Sequence, residues 1–248
     1  MNFNKYFIGI TFWSFLVISL FAIFVPYFII WVLTFWFDRK HYATQKFTQW
    51  WCSFYVIIYP FWKVKVIDGH KLKRDVAAVA VSNHQSMLDI MVLFHTYAYF
   101  VWVSKIENFR APVLGWVMTL NRYISLKRDD PRTFPKRYAG IRKALSKKKT
   151  IMMFPEGTRS RTNEIGRFKE GAFKAALESK VPIIPIVLEG TGRALPKGDL
   201  SFKDRTLITV KVLDPIPYEN FPSYDPTILK EYVKGIIATE LKKIQENG

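Results

Sequence analysis

VAAVAVSNHQSMLDIMVLF, residues 76–94, changes character in its middle. The first seven residues are small or β-branched and predict a buried strand, whereas the residues from Gln85 onward carry apolar side chains at helical spacing. A short polar turn with His84 lies between the two, and Asp89 follows early in the predicted helix. The stretch therefore predicts a strand–turn–helix unit with polar side chains at the carboxyl end of the strand.

The same alternation of patterns continues along the chain. The predicted strands lie at residues 63–68, 76–82, 98–104, 122–126, 151–154, 183–190 and 207–213, and the predicted helices at 85–94, 112–120, 134–149, 168–180 and 226–245. These intervals are typical of βαβ units, so we predict an α/β fold with a largely parallel central sheet flanked by helices. In such sheets ligands bind at the carboxyl ends of the strands.

One predicted strand contains an unusual residue. Residues 181–190 are strongly apolar, and Pro185 lies within them. Proline cannot donate to a sheet ladder, so it predicts an edge strand or an irregular one. The apolar composition is typical of a core strand, which we favour, or of the wall of an acyl channel. Residues 191–205 and 214–225 are predicted to be irregular loops.

The N-terminal part of the chain is apolar over an unusual length. Residues 7–37 form a run of 31 residues without a charge. A bilayer core needs roughly 20 apolar residues and a signal peptide has an apolar region of about 7–15, so the run predicts a lipid-embedded segment rather than a cleaved signal. Residues 47–62 form a second uncharged run, which Pro60 is expected to end.

Two arrangements of these runs remain open. In one, the first run crosses the membrane and the second lies at the interface. In the other, which we favour, both runs form a helical hairpin embedded in one leaflet, with Trp and Tyr at headgroup depth. A hairpin buried in a soluble core is disfavoured by the length of the first run. We expect residues 1–62 to be membrane-anchoring helices and residues 63–248 to be the α/β domain.

The formal net charge of +17 is concentrated in one segment. Residues 127–180 hold sixteen Lys and Arg residues against six Asp and Glu residues. Such a surface attracts nucleic acid, anionic lipid or acidic protein partners. Next to a lipid-embedded segment, anionic membrane lipids are the simplest partner, and we expect no nucleic acid. For residues 147–149 alone, a solvated surface without a ligand is the better interpretation.

The chain has a single cysteine, Cys52, which excludes an intramolecular disulfide. Nothing in this usage indicates secretion. We therefore expect a membrane protein whose α/β domain faces the cytoplasm.

His84 and Asp89 are five positions apart. On one ideal helix they would lie about 140° apart, so contact requires His84 in the turn before the helix and Asp89 in its first turns. Asn83 or Ser86 is suited to cap that helix. A carboxylate bonded to Nδ1 would fix the tautomer and leave Nε2 as a base. A metal site is disfavoured because no other His or Cys lies at ligand spacing, and an ordinary polar turn remains an alternative.

FPEGTRS, residues 154–160, places Glu156, Gly157, Thr158 and Arg159 after another predicted strand. Glycine lets backbone N–H groups approach an anion, and a guanidinium binds a phosphate through two parallel hydrogen bonds. Standing alone, the stretch would be interpreted as a simple turn with surface charges.

Two further cations also follow predicted strands. Lys105 comes directly after the strand at 98–104, and Arg128 comes two residues after the strand at 122–126. Together with the two stretches above, they occupy matching positions at one edge of the predicted sheet.

This combination resembles the glycerolipid acyltransferase family, specifically its bacterial 1-acyl-sn-glycerol-3-phosphate (lysophosphatidic acid) acyltransferases. The family pattern is His-x4-Asp, a Lys-containing block that ends in Arg, then FPEGTRS and a strand with Val-Pro. The four blocks occur here in that order across residues 76–190. The second block departs from the pattern, because many members have Gly-Asn and Ile-Asp-Arg where this chain has LNRYISLKR.

The resemblance implies transfer of a fatty acyl group from a thioester carrier to the free hydroxyl of lysophosphatidic acid. It implies His84 as the general base and Asp89 as the residue that orients it. The donor is acyl carrier protein or coenzyme A carrying the acyl group. Neither a covalent acyl-enzyme nor a metal nor a further cofactor is implied.

The resemblance also assigns the acceptor's phosphate to named residues. Arg159, the turn at Gly157 and Thr158, and Lys105 would bind it, with Arg128 as a further candidate, and Glu156 would organise the turn. Relatives that acylate glycerol 3-phosphate or other lysophospholipids share these blocks. A non-catalytic basic membrane-binding protein is the alternative from a different class.

Overall fold

The computed structural model describes residues 3–126, 134–162, 164–199 and 205–246. Within these ranges seven strands form one sheet in the order β1-β7-β6-β2-β5-β3-β4. The strands are β1 Trp62–Ile67, β2 Ala78–Ser82, β3 Phe100–Lys105, β4 Ile124–Leu126, β5 Thr150–Met153, β6 Ile183–Glu189 and β7 Thr206–Val212. The five strands from β6 to β4 are mutually parallel, whereas β7 runs antiparallel to β6 and pairs in parallel with β1. The predicted α/β class and largely parallel sheet are confirmed.

Helices cover both faces of the sheet. They are α1 Phe3–Thr34, α2 Tyr42–Ile58, α3 Leu88–Phe94, α4 Leu114–Leu120, α5 Phe134–Ser146, α6 Gly171–Ser179, α7 Thr191–Ala194 and α8 Pro226–Glu246. Side chains alternate between the two faces along each strand. In β2, for example, Ala78 and Ala80 pack in the core under α2 and α3, whereas Val79 and Val81 pack in the core under α5, α6 and α8. Burial on both faces explains why interior strands such as β2 and β6 read as continuous apolar runs.

β6 is the buried core strand favoured from its composition, and the alternative of an edge strand at Pro185 is wrong. β6 is an interior strand between β7 and β2. The Ile183 N–H donates to Ile216 O at 3.0 Å, so the ring nitrogen of Pro185, two residues on, faces the same side. On that side β7 has ended at Val212, and the Pro185 carbonyl accepts from Leu213 N at 2.9 Å. The N–H that proline lacks would therefore point past the end of β7, where the pairing between β6 and β7 has already stopped.

The segment after β6 is more regular than predicted. Residues 191–205 were expected to be an irregular loop, but α7 occupies Thr191–Ala194 within them. The helix is a single turn, which is too short to leave a periodic apolar pattern in the sequence.

α1 packs along the α/β domain. Near its start, Phe12 lies 5.3 Å from Tyr59 and 6.1 Å from Trp62 between ring centroids. Further along, Tyr27 Oη donates to Val117 O of α4 at 3.4 Å. α2 is part of the core under one face of the sheet, to which it contributes Cys52, Tyr55 and Val56. The division into residues 1–62 and 63–248 stays a prediction, and in the structure one core contains residues from both parts.

Among the described residues, one helix is long and apolar enough to cross a membrane, at Gly9–Thr34. Most of its side chains are exposed. The exposed apolar surface continues onto α2 and α4, and it includes Ile10, Phe15, Ile18, Phe21, Val25, Ile29 and Leu33 of α1, Trp50, Phe54 and Ile57 of α2, and Leu114 and Trp116 of α4. A contiguous apolar surface of this kind is typical of a membrane or protein contact rather than of water.

Gly190 ends β6 in a conformation that only glycine fits. Its φ is +86°, and a Cβ there would lie 2.2 Å from Leu207 O. We expect Gly190→Ala to lower the free energy of unfolding by about 2–4 kcal/mol, because both the left-handed backbone and the contact with β7 penalise a side chain. Chemical unfolding in detergent measures the change.

Gly198→Ala is the matched control. Gly198 has a φ of +89° but no described atom within 4 Å of an added Cβ. This variant should lose only about 1 kcal/mol, from the backbone conformation alone. Equal losses in the two variants would contradict the proposed clash with Leu207.

Candidate active site

His84 lies in the turn that leads from β2 to α3. Its Nδ1 is 2.7 Å from Oδ2 of Asp89. An ionised carboxylate only accepts hydrogen bonds, so in the neutral imidazole this contact places the proton on Nδ1 and the lone pair on Nε2. The sequence spacing required His84 to precede the helix if the two residues were to touch. The structure has this arrangement, and the two side chains are in contact.

Asp89 is fully buried, and its Oδ2 binds more than the imidazole. The same oxygen accepts the backbone N–H groups of Gln85 at 2.7 Å and Ser86 at 2.9 Å. Three donors on one oxygen hold the turn from 84 to 86 against the first turn of α3. They also offset the desolvation of a buried carboxylate, which would otherwise be costly.

The imidazole ring of His84 is held on one face by Phe154. The two rings are stacked with centroids 4.0 Å apart and an interplanar angle of 13°. Phe154 in turn lies against Trp102 of β3. Only 15% of the His84 side chain is exposed, so its orientation is fixed by packing as well as by the hydrogen bond.

Glu156 joins the two sequence blocks through the backbone. Its Oε1 accepts the His84 N–H at 2.7 Å, and its Oε2 accepts the Gly166 N–H at 2.9 Å. Burial raises the pKa of the Glu156 carboxyl, and the two N–H donors work against that rise. A further bond runs from Ser160 N to His84 O at 2.8 Å. The carboxylate therefore positions the His84 backbone.

Asn83 has a role that the sequence did not indicate. Its amide does not cap α3 but pairs with the backbone of Leu188 in β6, with Nδ2 2.7 Å from the carbonyl oxygen and Oδ1 2.9 Å from the nitrogen. Ser86 Oγ is the group that accepts the Leu88 N–H at the start of α3, at 3.2 Å. The turn that carries His84 is thus attached to β6 as well as to α3.

The FPEGTRS turn follows β5, next to β2 in the sheet. Gly157 has a φ of +70°, which favours glycine, and a Cβ there would lie 3.2 Å from Lys169 Nζ. Lys197 Nζ donates to Thr158 Oγ1 at 3.1 Å and to Arg159 O at 2.7 Å. Sequence reasoning missed both lysines. Their only signals were the basic composition around Lys169 and the position of Lys197 shortly after the strand at 183–190.

The two remaining predicted residues are placed differently. Lys105 ends β3, at the same edge of the sheet as the His84 turn, and its ammonium lies 3.6 Å from Glu107. Among the described residues, the Lys105 ammonium makes no hydrogen bond or ion pair with the FPEGTRS turn. Arg128 lies outside the described residues. In the described ranges, no group of three or more His, Cys, Asp or Glu side chains could hold a metal ion.

The hydrogen bonds between Asn83 and Leu188 lead to a prediction about stability. Asn83→Ala leaves the N–H and C=O of buried Leu188 without these partners, and we expect the free energy of unfolding to fall by about 2–4 kcal/mol. Asn108→Ala is the control, because its amide bonds to Ser104 Oγ at an exposed site and should lose less than about 0.5 kcal/mol. Thermal or urea unfolding in detergent compares the two, and similar small losses would contradict the role given to Asn83.

Comparisons with known proteins agree with these blocks. Residues 63–189, about half of the chain, match the profile of a family described as Acyltransferase. A chloroplastic 1-acyl-sn-glycerol-3-phosphate acyltransferase of Arabidopsis thaliana is 38% identical over 167 residues, covering 67% of this chain and 46% of that protein. A 1-acyl-sn-glycerol-3-phosphate acyltransferase of Chlamydomonas reinhardtii is 36% identical over 208 residues, covering 83% and 61%. The chain thus spans about half of the length of these curated relatives.

A solved structure shares the fold. The crystal structure of the 1-acyl-sn-glycerophosphate acyltransferase of Thermotoga maritima superposes with a TM-score of 0.77 and 20% sequence identity, covering 98% of this chain and 96% of that one. The sequence profile and the relatives confirm the predicted family. The chain belongs to the acyltransferase family.

Proposed function

We propose that this protein transfers a fatty acyl group from a thioester carrier to the free hydroxyl of lysophosphatidic acid, which gives phosphatidic acid. The observation that carries the proposal is the 2.7 Å contact between His84 Nδ1 and Asp89 Oδ2, beside the FPEGTRS turn. The names of the curated relatives support lysophosphatidic acid as the acceptor.

In the proposed reaction His84 acts on the acceptor. Nε2 takes the proton of the glycerol hydroxyl while the hydroxyl oxygen attacks the thioester carbonyl. Asp89 stabilises the imidazolium that forms. The tetrahedral intermediate then collapses, the carbon–sulfur bond breaks, and the thiolate takes the proton from the imidazolium. The products are an ester and a free thiol. The substrate hydroxyl is itself the nucleophile, so the enzyme needs no covalent intermediate.

The acceptor's phosphate is assigned to the FPEGTRS turn. Arg159 would bind it bidentately, while Gly157 and Thr158 shape the turn and Lys105 adds charge from the end of β3. Lys197 holds the carbonyl of Arg159 and the hydroxyl of Thr158, so it positions this turn. Arg128 stays a candidate from its place in the family pattern.

The exposed apolar surface of α1, α2 and α4 is proposed to enter the membrane that holds the acceptor. A lipid acceptor leaves the bilayer only at a cost of ~0.8 kcal/mol per methylene, so an enzyme that works at the membrane avoids that step. Anionic lipids are the expected headgroup partners of the basic surface, and the α/β domain is expected on the cytoplasmic face.

The packing of α1 favours the one-leaflet arrangement over a spanning helix. From Phe12 to Tyr27 the helix advances roughly 22 Å, and it contacts Trp62 of β1 at the first position and Val117 of α4 at the second. A helix perpendicular to the membrane would therefore carry the polar surface of that domain into the hydrocarbon, which is costly. A helix that lies in one leaflet leaves the domain in water.

An acceptor and donor assay tests the proposed reaction. Labelled acyl thioesters of acyl carrier protein and coenzyme A are each combined with lysophosphatidic acid, another lysophospholipid or glycerol 3-phosphate. We expect lysophosphatidic acid to be the preferred acceptor. His84→Ala should lower turnover by about 10²–10⁴-fold, because the general base is lost, while the variant still associates with vesicles.

His70→Ala is the matched control, since His70 is exposed in a 3-10 turn after β1 and should leave turnover unchanged. A preference for glycerol 3-phosphate would replace the proposed acceptor. Full acyl transfer by His84→Ala would rule out the general base. Vesicle binding by the wild type without transfer from either donor would favour a non-catalytic membrane-binding protein.

Cysteine labelling tests the arrangement of α1. Asn4→Cys and Arg39→Cys introduce thiols near the two ends of the helix, and the native Cys52 is buried. In sealed vesicles an impermeant maleimide should label both new thiols from the same side, because the helix is proposed to stay in one leaflet. Labelling from opposite sides would show that α1 crosses the membrane.

A further inference from the structure

A groove of about 440 Å³ lies beside the FPEGTRS turn. Its lining includes Arg167, Lys169 and Lys230, together with Thr158, and its volume is in the range typical of small-molecule sites, roughly 300–1,000 Å³. We propose that this cationic groove binds the phosphate of the phosphopantetheine arm that acyl carrier protein and coenzyme A share. The inference rests on the proposed function and assigns its donor side.

The groove lies on the face of the sheet away from the apolar helices. Phe168, which lines it, belongs to the core under α5, α6 and α8, and Lys230 is on α8. α1 and α2 contribute instead to the core on the opposite face, which also receives Phe154. A lipid acceptor would come from the side of α1, so the water-soluble donor has the other side available to it.

The charges in the groove are not balanced. Lys230 is buried and pairs with Glu170 at 3.2 Å, and both oxygens of Glu156 accept backbone N–H groups. Arg167 and Lys169 are exposed, and neither lies within ion-pair distance of a carboxylate in the part of the chain that the structure describes. An anion that enters the groove therefore meets two unpaired cations, which suits a phosphate better than an apolar or cationic ligand.

The groove and His84 are connected by the same turn. The Lys169 N–H donates to Pro155 O at 2.9 Å, and the Lys169 side chain lies against Gly157. Glu156, which lies between Pro155 and Gly157, accepts the His84 N–H on the other side of the turn. The pantetheine arm carries its phosphate at one end and the thioester sulfur at the other. A phosphate bound in the groove would therefore tether a thioester that reaches around the turn towards His84.

Steady-state kinetics of Arg167→Gln/Lys169→Gln test the assignment. With acyl carrier protein or coenzyme A thioesters, we expect the donor KM to rise about tenfold or more, because charge-assisted hydrogen bonds to the phosphate are lost. The acceptor KM, and kcat at saturating donor, should stay within about twofold. Lys180→Gln/Lys242→Gln is the control, which removes two exposed charges at the far ends of α6 and α8 and should change neither KM.

An inhibitor pair isolates the phosphate. Phosphopantetheine should compete with the donor about tenfold or more better than pantetheine, which lacks the phosphate, and the double variant should lose this difference. An unchanged donor KM, or a rise in the acceptor KM instead, would overturn the groove assignment while leaving the proposed reaction in place.

The groove can also be tested if the proposed reaction fails. Should the wild type transfer no acyl group to any acceptor, calorimetric titration with phosphopantetheine still reports on this site. Binding by the wild type that Arg167→Gln/Lys169→Gln abolishes would support the groove. Equal binding by both proteins, or none by the wild type, would overturn it.

Discussion

One oxygen of a buried carboxylate, Oδ2 of Asp89, organises the centre of this structure. A carboxylate buried without partners would be strongly destabilising, and here the backbone of the turn and the imidazole of His84 supply the hydrogen bonds. Asp89 lies at the start of α3, so these bonds hold the turn at residues 84–86 in a fixed position relative to that helix. Glu156 repeats the same device one strand away, with its carboxylate joining the His84 backbone to the segment at Gly166. Asp89 thus fixes its own sequence block, and Glu156 connects that block to one some seventy residues away.

The sheet and most helices could be predicted because each leaves a local signal. Apolar strands that are buried on both faces give continuous runs, and the helices between them give a longer period. Pro185 suggested an edge strand, but an interior strand accepts a proline here because β7 stops before reaching it. Where β7 stops is decided by another segment of the chain. α7 escaped because one helical turn carries no periodicity. The local pattern also places α1 and α2 as apolar helices, but it does not show that α2 belongs to the core of the sheet.

The candidate site likewise has some contacts that the local sequence predicts and others that it does not. The contact between His84 and Asp89 follows from five residues of spacing and a turn, so the sequence was sufficient to expect it. The bonds from Asn83 to Leu188 and from Lys197 to the FPEGTRS turn join residues 105 and 38 positions apart, and no pattern within either segment indicates the other. Such contacts depend on the order of the strands, which brings β6 beside β2. Side chains of this kind become visible only after the sheet is assembled.

The stacking of Phe154 on His84 has a consequence for what the imidazole can activate. One face of the ring is covered by an aromatic wall and most of the side chain is buried, so few positions remain from which a solvent molecule could reach it. Acyl transfer to an alcohol competes with hydrolysis of the same thioester. In the proposed reaction, a base screened in this way would discriminate against water by geometry, and the acyl group would be preserved for a hydroxyl that arrives already oriented by its own headgroup.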